Sequence, residues 1–271
     1  MAIIWQKTVG HRLYQVRTAG ATLRLYSNGV FHSQWNPNTP IAGSLWDLLI
    51  LPSFLHELAL VSTGRDTTNR CGLVLGVGGG AVINLLNRYF DFEHIKGVDL
   101  DKTHLRIAKK YFIEQPHNVV LAHQCAKAWV AGATTDTYYL GRFDTIVEDL
   151  FLDIKQPDGQ CLAERVIEPS AHWLSQLYAL LAPQGILVIN YSSVAQLRGC
   201  EATKYAKQNK MFKAIFAFTK PQYHNAIAVY SRLDFNKVRL KNRLLEALSE
   251  KSVLPARHRK SIANFTLTRI I

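Results

Sequence analysis

Five short apolar segments alternate with helix-like segments between residues 71 and 190, and this alternation limits the folds open to the chain. The segments are 73–77, 95–100, 119–122, 143–148 and 186–190. Short apolar runs suit strands that are buried on both faces, and five βα units in succession imply a parallel sheet covered by helices. Two later strand-like runs, 212–219 and 226–231, predict an antiparallel hairpin at the sheet edge. The predicted fold class is α/β, with a doubly wound, mostly parallel sheet.

The first 35 residues alternate apolar and polar side chains in the manner of strands. Asn28-Gly29 separates the runs 22–27 and 30–34, and this dipeptide indicates a hairpin because both residues tolerate positive φ. A small N-terminal antiparallel β-hairpin unit is therefore expected. A helix over 44–61, bent at Pro52, is predicted to follow it.

Charge is distributed unevenly along the chain. The formal net charge is +12, from 32 Lys and Arg and 20 Asp and Glu, and the last 40 residues hold 10 basic and 3 acidic side chains. Three parts are predicted: a hairpin unit at 1–40, an α/β domain at 41–232, and a basic C-terminal helix (236–249) and tail within 233–271. Phosphate contacts with nucleic acid are one interpretation of the tail. A solvated helix face is favoured, because few aromatic side chains accompany the charges.

Cysteine and apolar patterns indicate the compartment. The four cysteines are far apart and form no C-x-x-C pair, which predicts neither a disulfide framework nor a zinc site. The ten histidines show no metal-binding spacing, so no metal is expected. No segment approaches the roughly 20 uninterrupted apolar residues of a membrane-spanning helix, and the first residues do not resemble a signal peptide. A cytoplasmic protein without a membrane partner is predicted.

A glycine-rich turn, GVGGGA at 76–81, follows the first buried strand and precedes a helix over 82–90. Such a turn lets the backbone approach a ligand closely, and helix N–H groups point at that ligand. The predicted cofactor contacts are Gly76, Gly78, Gly79 and Gly80. A turn of this kind also occurs without any ligand.

Asp99 ends the second strand, 23 residues after Gly76. In open α/β sheets this position commonly accepts hydrogen bonds from the two ribose hydroxyls of a nucleotide, and a carboxylate has two oxygens to do so. Asp101 is instead predicted to cap the next helix. A nicotinamide cofactor and S-adenosylmethionine would both suit this geometry.

The later motifs favour S-adenosylmethionine. FDTIVEDLF at 143–151 ends the fourth strand in the carboxylate pair Glu148-Asp149. Together with the Asn-Gly hairpin, LVLGVGGG at 73–80 and GVDLD at 97–101, this order resembles the spermidine synthase family within the S-adenosylmethionine-dependent transferase superfamily. The resemblance covers residues 20–232 and implies a Rossmann-like fold of the methyltransferase type.

The resemblance also implies roles for particular residues. Asp149 matches the catalytic aspartate of the family, and the implied co-substrate is S-adenosylmethionine or its decarboxylated form. Gln124 and Cys125 fall where the family contacts the adenine amino group, while His32 and Trp46 fall in segments that bind the acceptor. The alternative interpretation of these last two is packing between the hairpin unit and the helix. Dimers are common in the family, although the sequence leaves the oligomeric state open.

Asp149 has a chemical rationale as a general base, since an amine must lose a proton before it attacks the carbon beside a sulfonium. Capping of the following loop is the alternative role. Glu148 should point to the opposite side of the strand and be structural.

The residues expected to bind the acceptor depart from the family pattern. Leu152 stands where aminopropyltransferases carry a second aspartate, and Asp153, one residue later, is the predicted acceptor-binding residue in its place. Leu45-Trp46-Asp47 replaces the family's Tyr-His-Glu segment. Putrescine is a dication, and each buried ammonium needs an acidic or strongly polar partner.

The sequence is therefore compatible with three functions. The first is aminopropyl transfer from decarboxylated S-adenosylmethionine to an amine. The second is methyl transfer from S-adenosylmethionine to an unknown acceptor, either a small molecule or RNA. The third is nucleoside binding without catalysis, in regulation or assembly.

Overall fold

The protein is described by a computed structural model that covers residues 1–62, 64, 69–234, 242, 246 and 264–271. Its N-terminal part is an antiparallel sheet of four strands in sequential order, β1 (Ala2–Val9), β2 (Arg12–Ala19), β3 (Thr22–Ser27) and β4 (Val30–Trp35). Asn28 and Gly29 connect β3 to β4 with φ of 47° and 81°, as the dipeptide predicts. The predicted hairpin unit is therefore a four-stranded sheet.

The remaining elements alternate strands and helices, as the apolar segments predict. A π-helical turn, Ala108–Phe112, directly follows the third helix and takes the place of the second half of the helix predicted there. The elements are α1 (Leu45–Ser62), β5 (Arg70–Leu75), α2 (Ala81–Tyr89), β6 (Phe92–Asp99), α3 (Lys102–Ile107), β7 (Val119–His123), α4 (Ala126–Ala133), β8 (Phe143–Glu148), β9 (Phe151–Lys155), β10 (Cys161–Arg165), α5 (Ala171–Leu180), β11 (Leu181–Tyr191), α6 (Val194–Gly199), α7 (Glu201–Gln208), β12 (Ala214–Thr219), β13 (Ala226–Ser231) and β14 (Thr266–Arg269).

Eight of these strands form the central sheet, in the order β7-β6-β5-β8-β11-β13-β12-β14. The five strands from β7 to β11 are mutually parallel, and β13, β12 and β14 each run antiparallel to the preceding strand. The chain leaves β5 towards β6 on one side, while β8 lies on the other side. The strand order thus reverses at β5, and in such sheets the carboxyl ends of the two diverging strands leave a crevice for a ligand.

Successive side chains of the central strands enter two separate cores, because side chains alternate along a strand. In β8, Val147 packs into a core with the N-terminal sheet, α1 and α2. Ile146 packs into a second core with α4, α5 and α7. Helices therefore cover both faces of the sheet, and the predicted doubly wound α/β class is confirmed.

Three strands were not predicted. The hairpin β9–β10 follows β8 directly, and Pro157-Asp158-Gly159 is a turn sequence that would have indicated it. Strand β14 pairs with β12, so residues 266–269 belong to the central sheet and not to an appended tail.

The basic helix predicted over 236–249 lies almost wholly outside the described residues, as does the basic stretch at 257–260. The division into three parts therefore stays a prediction. In the described part of the chain, no helix is long and apolar enough to cross a membrane.

Candidate active site

A cavity of about 400 Å³ opens at the carboxyl ends of β5, β6 and β8, where the strand order reverses. One group of lining residues follows these strands or begins α4, and it contains Gly76, Val77, Gly78, Asp99, Leu100, Cys125, Ala126, Lys127 and Asp149. A second group comes from the N-terminal sheet, α1, α3, the hairpin region and the strand ends beyond β8, and it contains Phe31, His32, Leu45, Trp46, His104, Leu150, Phe151, Leu152, Ala163, Val166, Ile167, Asn190 and Asn225. We call these the nucleoside half and the acceptor half.

The glycine turn packs against the end of β8. Gly76 has a φ of 87°, and a Cβ there would lie 2.1 Å from the carbonyl oxygen of Asp149, so only glycine fits. Gly76 and Gly78 line the cavity. The Cβ positions of Gly79 and Gly80 instead meet Ser33 and Ile113. Of the four predicted glycines, two thus face the cavity and two allow close packing of the protein itself.

Asp99 is a buried carboxylate that holds the glycine turn. Its Oδ2 accepts hydrogen bonds from the backbone N–H groups of Val77 (2.8 Å) and Gly78 (2.9 Å), and its Oδ1 accepts one from Asp101 (2.7 Å). A carboxylate offers about four acceptor positions, so this arrangement leaves about one for a ligand. The predicted hydrogen bonds to two ribose hydroxyls would need a rearrangement of the turn.

Asp101 caps α3, as predicted. Its Oδ1 accepts hydrogen bonds from the backbone N–H groups of Thr103 and His104. Its Oδ2 accepts further bonds from the Tyr14 hydroxyl (2.6 Å) and from Arg12 (3.1 Å). These bonds connect the N-terminal sheet to the α/β domain beside the cavity.

Asp149 lies between the two halves of the cavity. Its Oδ1 accepts a hydrogen bond from the Asn190 side-chain amide (2.7 Å), whose oxygen in turn accepts one from Asn225 (2.9 Å). The side chain is surrounded by protein except where it faces the cavity. Burial, together with the Glu148 charge, raises the pKa of Asp149 to about 6, although the hydrogen bond from Asn190 opposes the shift. Such a carboxylate is a stronger base than an exposed one.

Glu148 points away from the cavity, as the alternation of β8 predicts. Its two oxygens accept hydrogen bonds from both terminal nitrogens of Arg165, each at 2.7 Å, and both side chains are buried. Arg165 also donates to the carbonyl oxygen of Asn190 (2.6 Å). Arg165 is the last residue of β10, so this ion pair fixes the base of the hairpin to the sheet.

The predicted acceptor residues His32 and Trp46 both line the cavity. His32 shares a hydrogen bond with the Ser27 hydroxyl (2.7 Å), and burial, with the nearby His104 and Arg12, lowers the pKa of His32 to about 3. Its imidazole is therefore neutral at physiological pH. Trp46 meets Phe31 edge to face, with ring centroids 4.9 Å apart. Both side chains thus contact the N-terminal sheet as well as the cavity, and their roles stay predictions.

Of the other predicted contact residues, one lines the cavity and two do not. Cys125 lines the cavity, whereas Gln124 is exposed, and its backbone N–H bonds to the Asp99 carbonyl oxygen (3.0 Å). Asp153, predicted to bind the acceptor, is absent from the lining. Its carboxylate instead contacts Arg12 (2.8 Å) and Asn28 (3.2 Å) of the N-terminal sheet. That position corrects the assignment: β9 turns Asp153 away from the cavity and onto a guanidinium.

Several lining residues were missed. His104 is buried, and its Nε2 has no hydrogen-bond partner among the described residues. Its position in α3, five residues after Asp99, was the available signal. Asn190 and Asn225 end or precede strands of the central sheet, and the remaining apolar residues come with the unpredicted hairpin. No group of three or more His, Cys, Asp or Glu in the described part of the chain is placed to hold a metal ion.

Comparison with known proteins yields a consistent picture. No family model matches the chain. A curated polyamine aminopropyltransferase from Vibrio vulnificus (strain CMCP6) is 26% identical over 162 residues, a match that covers 59% of this chain and 50% of the relative. The match thus spans about half the length of that protein.

Solved structures share the fold over most of the chain. A probable spermidine synthase from Corynebacterium glutamicum ATCC 13032 has a TM-score of 0.68 at 16% identity, covering 92% of this chain and 88% of that one. Spermidine synthase from Thermotoga maritima has a TM-score of 0.58 at 12% identity, covering 96% and 87%. Human methyltransferase-like protein 13, in complex with SAH, has a TM-score of 0.52 at 17% identity, covering 76% and 92%. The predicted resemblance and the methyltransferase-type fold are confirmed.

Proposed function

We propose that the chain is a transferase that moves an aminopropyl group from decarboxylated S-adenosylmethionine to an amine. The observation that carries the proposal is Asp149, a carboxylate with a pKa raised to about 6, which faces a cavity beside the glycine turn. A base of this strength suits the removal of a proton from an amine. The similarity to a polyamine aminopropyltransferase supports the same chemistry.

The nucleoside half fits an adenosyl group. Gly76 and Gly78 bring the backbone close to the cavity, Asp99 retains about one acceptor position, and Cys125 lies at the start of α4. When bound, the adenosyl sulfonium would supply an activated carbon and a neutral thioether as leaving group. The protein therefore needs to position the acceptor and take its proton.

Asp149 would accept the proton that the acceptor ammonium loses, while Asn190 and Asn225 hold the carboxylate in place. The freed nitrogen lone pair forms the new N–C bond, the C–S bond breaks, and its electron pair stays on sulfur. The products are the alkylated amine and methylthioadenosine. Asp149 then releases its proton to solvent.

Methyl transfer from S-adenosylmethionine is a second candidate. Leu152 occupies the place of the second family aspartate, which removes a group suited to a polyamine but not one needed for a methyl acceptor. The nucleoside half would serve either co-substrate. The fold of a human methyltransferase-like protein is compatible with this alternative.

The test is a thermal-shift comparison of S-adenosylmethionine, its decarboxylated form and methylthioadenosine, since a ligand that binds the native state raises its apparent stability. A preference for the decarboxylated form, followed by transfer to an amine, is the expected result. A preference for the intact form would favour methyl transfer. No response to any of the three would favour a protein without this catalysis.

A cytoplasmic location is part of the proposal. All four cysteines are free, and Cys125 is exposed at the cavity. Free thiols are typical of a reducing compartment. A small-molecule amine is the proposed partner.

A further inference from the structure

We infer that the acceptor is a primary monoamine with an apolar body, and not a diamine. The inference rests on the proposed function, because it names the substrate class for the same site. Three observations carry it: the apolar lining of the acceptor half, the pairing of the acidic side chains around it, and the balance of charge inside the cavity.

The acceptor half is lined mainly by apolar side chains. Besides two histidines and two asparagines, its lining is Phe31, Leu45, Trp46, Leu150, Phe151, Leu152, Ala163, Val166 and Ile167. Leu150 and Leu152 flank Phe151 at the point where the chain leaves Asp149. An alkyl or aryl group gains from burial against such a surface, whereas an ammonium loses its hydration there.

Four acidic side chains beside this half are already paired, whereas Glu164 and Glu168 are exposed and do not line the cavity. Glu148 is bound by Arg165, and Asp153 contacts Arg12. Asp101 contacts Arg12 and Tyr14 and caps α3. Asp47, next to Trp46, accepts hydrogen bonds from the backbone N–H groups of residues 42–44. Each of these four carboxylates would have to leave its partner before it could bind a ligand.

The charges inside the cavity are the third observation. Among the described lining residues, the carboxylates are Asp99 and Asp149, and Lys127 adds a positive charge. Decarboxylated S-adenosylmethionine carries two positive charges, one on the sulfonium and one on its own ammonium. An acceptor amine can give a proton to Asp149, but the second ammonium of a diamine would have no carboxylate left.

The other polar lining groups add no negative charge. His32 is neutral, and neither histidine supplies negative charge. The Phe31 ring is stacked on Tyr26 and met edge-on by Trp46, and the Arg24 guanidinium lies 5.7 Å from its centroid. The Phe31 ring is thus already engaged, partly by a cation. The net charge of +12 also opposes the approach of a dication.

The experiment compares putrescine with n-pentylamine, which has a methyl group in place of the second ammonium. Binding of each amine is measured by calorimetry on the whole chain saturated with S-adenosyl-3-thiopropylamine, a thioether that keeps the ammonium of the donor but has no sulfonium, so that the readout does not depend on turnover. We expect n-pentylamine to bind at least tenfold more tightly. Tighter binding of putrescine, or binding of neither amine, would overturn the inference.

Transfer from the decarboxylated donor is then measured with both amines. If n-pentylamine binds more tightly but neither amine is alkylated, the proposed function fails while the inference about the site stands. If putrescine is the better acceptor in both assays, the inference fails and the proposed function survives. The two failures are therefore distinguishable.

A substitution tests the position that carries the specificity. Leu152→Asp places a carboxylate in the acceptor half and should shift the ratio of the two affinities at least tenfold towards putrescine. Leu162→Asp is the matched control, because Leu162 lies on β10, is exposed and does not line the cavity. An equal shift in both variants would contradict the role of Leu152, and the wild-type comparison decides the inference even if Leu152→Asp fails to fold.

Discussion

Two adjacent carboxylates at the end of β8 have opposite surroundings. Glu148 is bound on both oxygens by Arg165, whereas Asp149 accepts one hydrogen bond from Asn190 and faces the cavity. Strand alternation alone produces this division, because successive side chains point to opposite faces of a sheet. One carboxylate stabilises the hairpin, and the other is available for proton transfer.

Asp149→Asn should separate chemistry from binding. The amide keeps the size of the side chain and can still accept the hydrogen bond from Asn190, but it cannot act as a base at neutral pH. Turnover should fall by roughly 10²–10⁴-fold, while the affinity for methylthioadenosine should change by less than about 1 kcal/mol. Initial rates and calorimetry measure the two quantities. Asp136→Asn, at an exposed carboxylate after α4, is the control; near-normal turnover of Asp149→Asn would exclude the base role.

The same group should govern the pH dependence of the reaction. Asp149 has a pKa of about 6 and must be ionised to accept a proton. We expect kcat/KM of the wild type to fall about tenfold per pH unit below this value. The acid limb should be absent in the residual activity of Asp149→Asn. An unchanged acid limb in that variant would assign the titration to another group.

Asp149 should also affect stability. Its pKa is about 6 in the folded protein and 3.8 when unperturbed, so the folded state favours the protonated form. This contribution is fully present below about pH 4 and is lost as the pH rises through about 6. Asp149→Asn lacks this titration. The free energy of unfolding of the variant minus that of the wild type should therefore be larger at pH 8 than at pH 4, by on the order of 2 kcal/mol. Urea denaturation at both pH values measures the difference, and a constant difference would contradict the raised pKa.

At the level of elements, the sequence predicts the central sheet well and the cover of the cavity poorly. Buried parallel strands are continuous apolar runs, so 143–148 coincides with β8. The hairpin β9–β10 has exposed and charged positions, and only its turn sequence distinguishes it from a loop. The same difference holds for the site. The glycine turn, Asp99 and Asp149 could be predicted because they lie at or directly after the ends of predicted strands. The prediction for Asp153 was wrong because the sequence of a short, separate two-stranded hairpin does not indicate which of its faces contacts the cavity.

The ion pair at the base of the hairpin leads to a prediction about both stability and catalysis. Arg165→Met would leave Glu148 buried without its partner and should cost about 3–5 kcal/mol in the free energy of unfolding. It would also remove the positive charge that lowers the pKa of Asp149. The acid limb of kcat/KM should move to higher pH.

The double variant Glu148→Gln/Arg165→Met is the control for that prediction. It removes both charges, and most of the lost stability should return because no buried charge is left unpaired. Chemical denaturation and pH–rate profiles measure the two effects. A double variant no more stable than Arg165→Met would show that packing of Arg165, and not its charge, dominates.

At the scale of the whole molecule, the described C-terminal residues and the cavity lie in different parts of one sheet. Strand β14 is separated from β5 by β12, β13, β11 and β8. Phe265 is buried before β14, and its ring centroid lies 5.5 Å from that of Phe218. The end of the chain therefore contributes to the core while remaining far from the glycine turn in the strand order.

Phe265→Ala should lower stability without weakening nucleoside binding. Loss of a buried phenylalanine side chain should cost about 3–5 kcal/mol in the free energy of unfolding. The affinity for methylthioadenosine should stay within about 0.5 kcal/mol of the wild type, as for distant independent sites. Denaturation and calorimetry on the same preparation test both parts. A loss of affinity in the fully folded variant would mean that the edge strand is coupled to the cavity.

The attachment of the hairpin β9–β10 determines whether the hairpin can move when ligands enter or leave the cavity. Arg165 binds Glu148 at one end of the hairpin, and Arg12 binds Asp153 in its middle. Swinging the hairpin outward would break both ion pairs and leave Glu148 buried without its partner, which is costly. The hairpin is therefore a fixed part of the cavity wall and does not open and close over the cavity. In the proposed reaction, substrates would enter and products would leave while the hairpin stays in place.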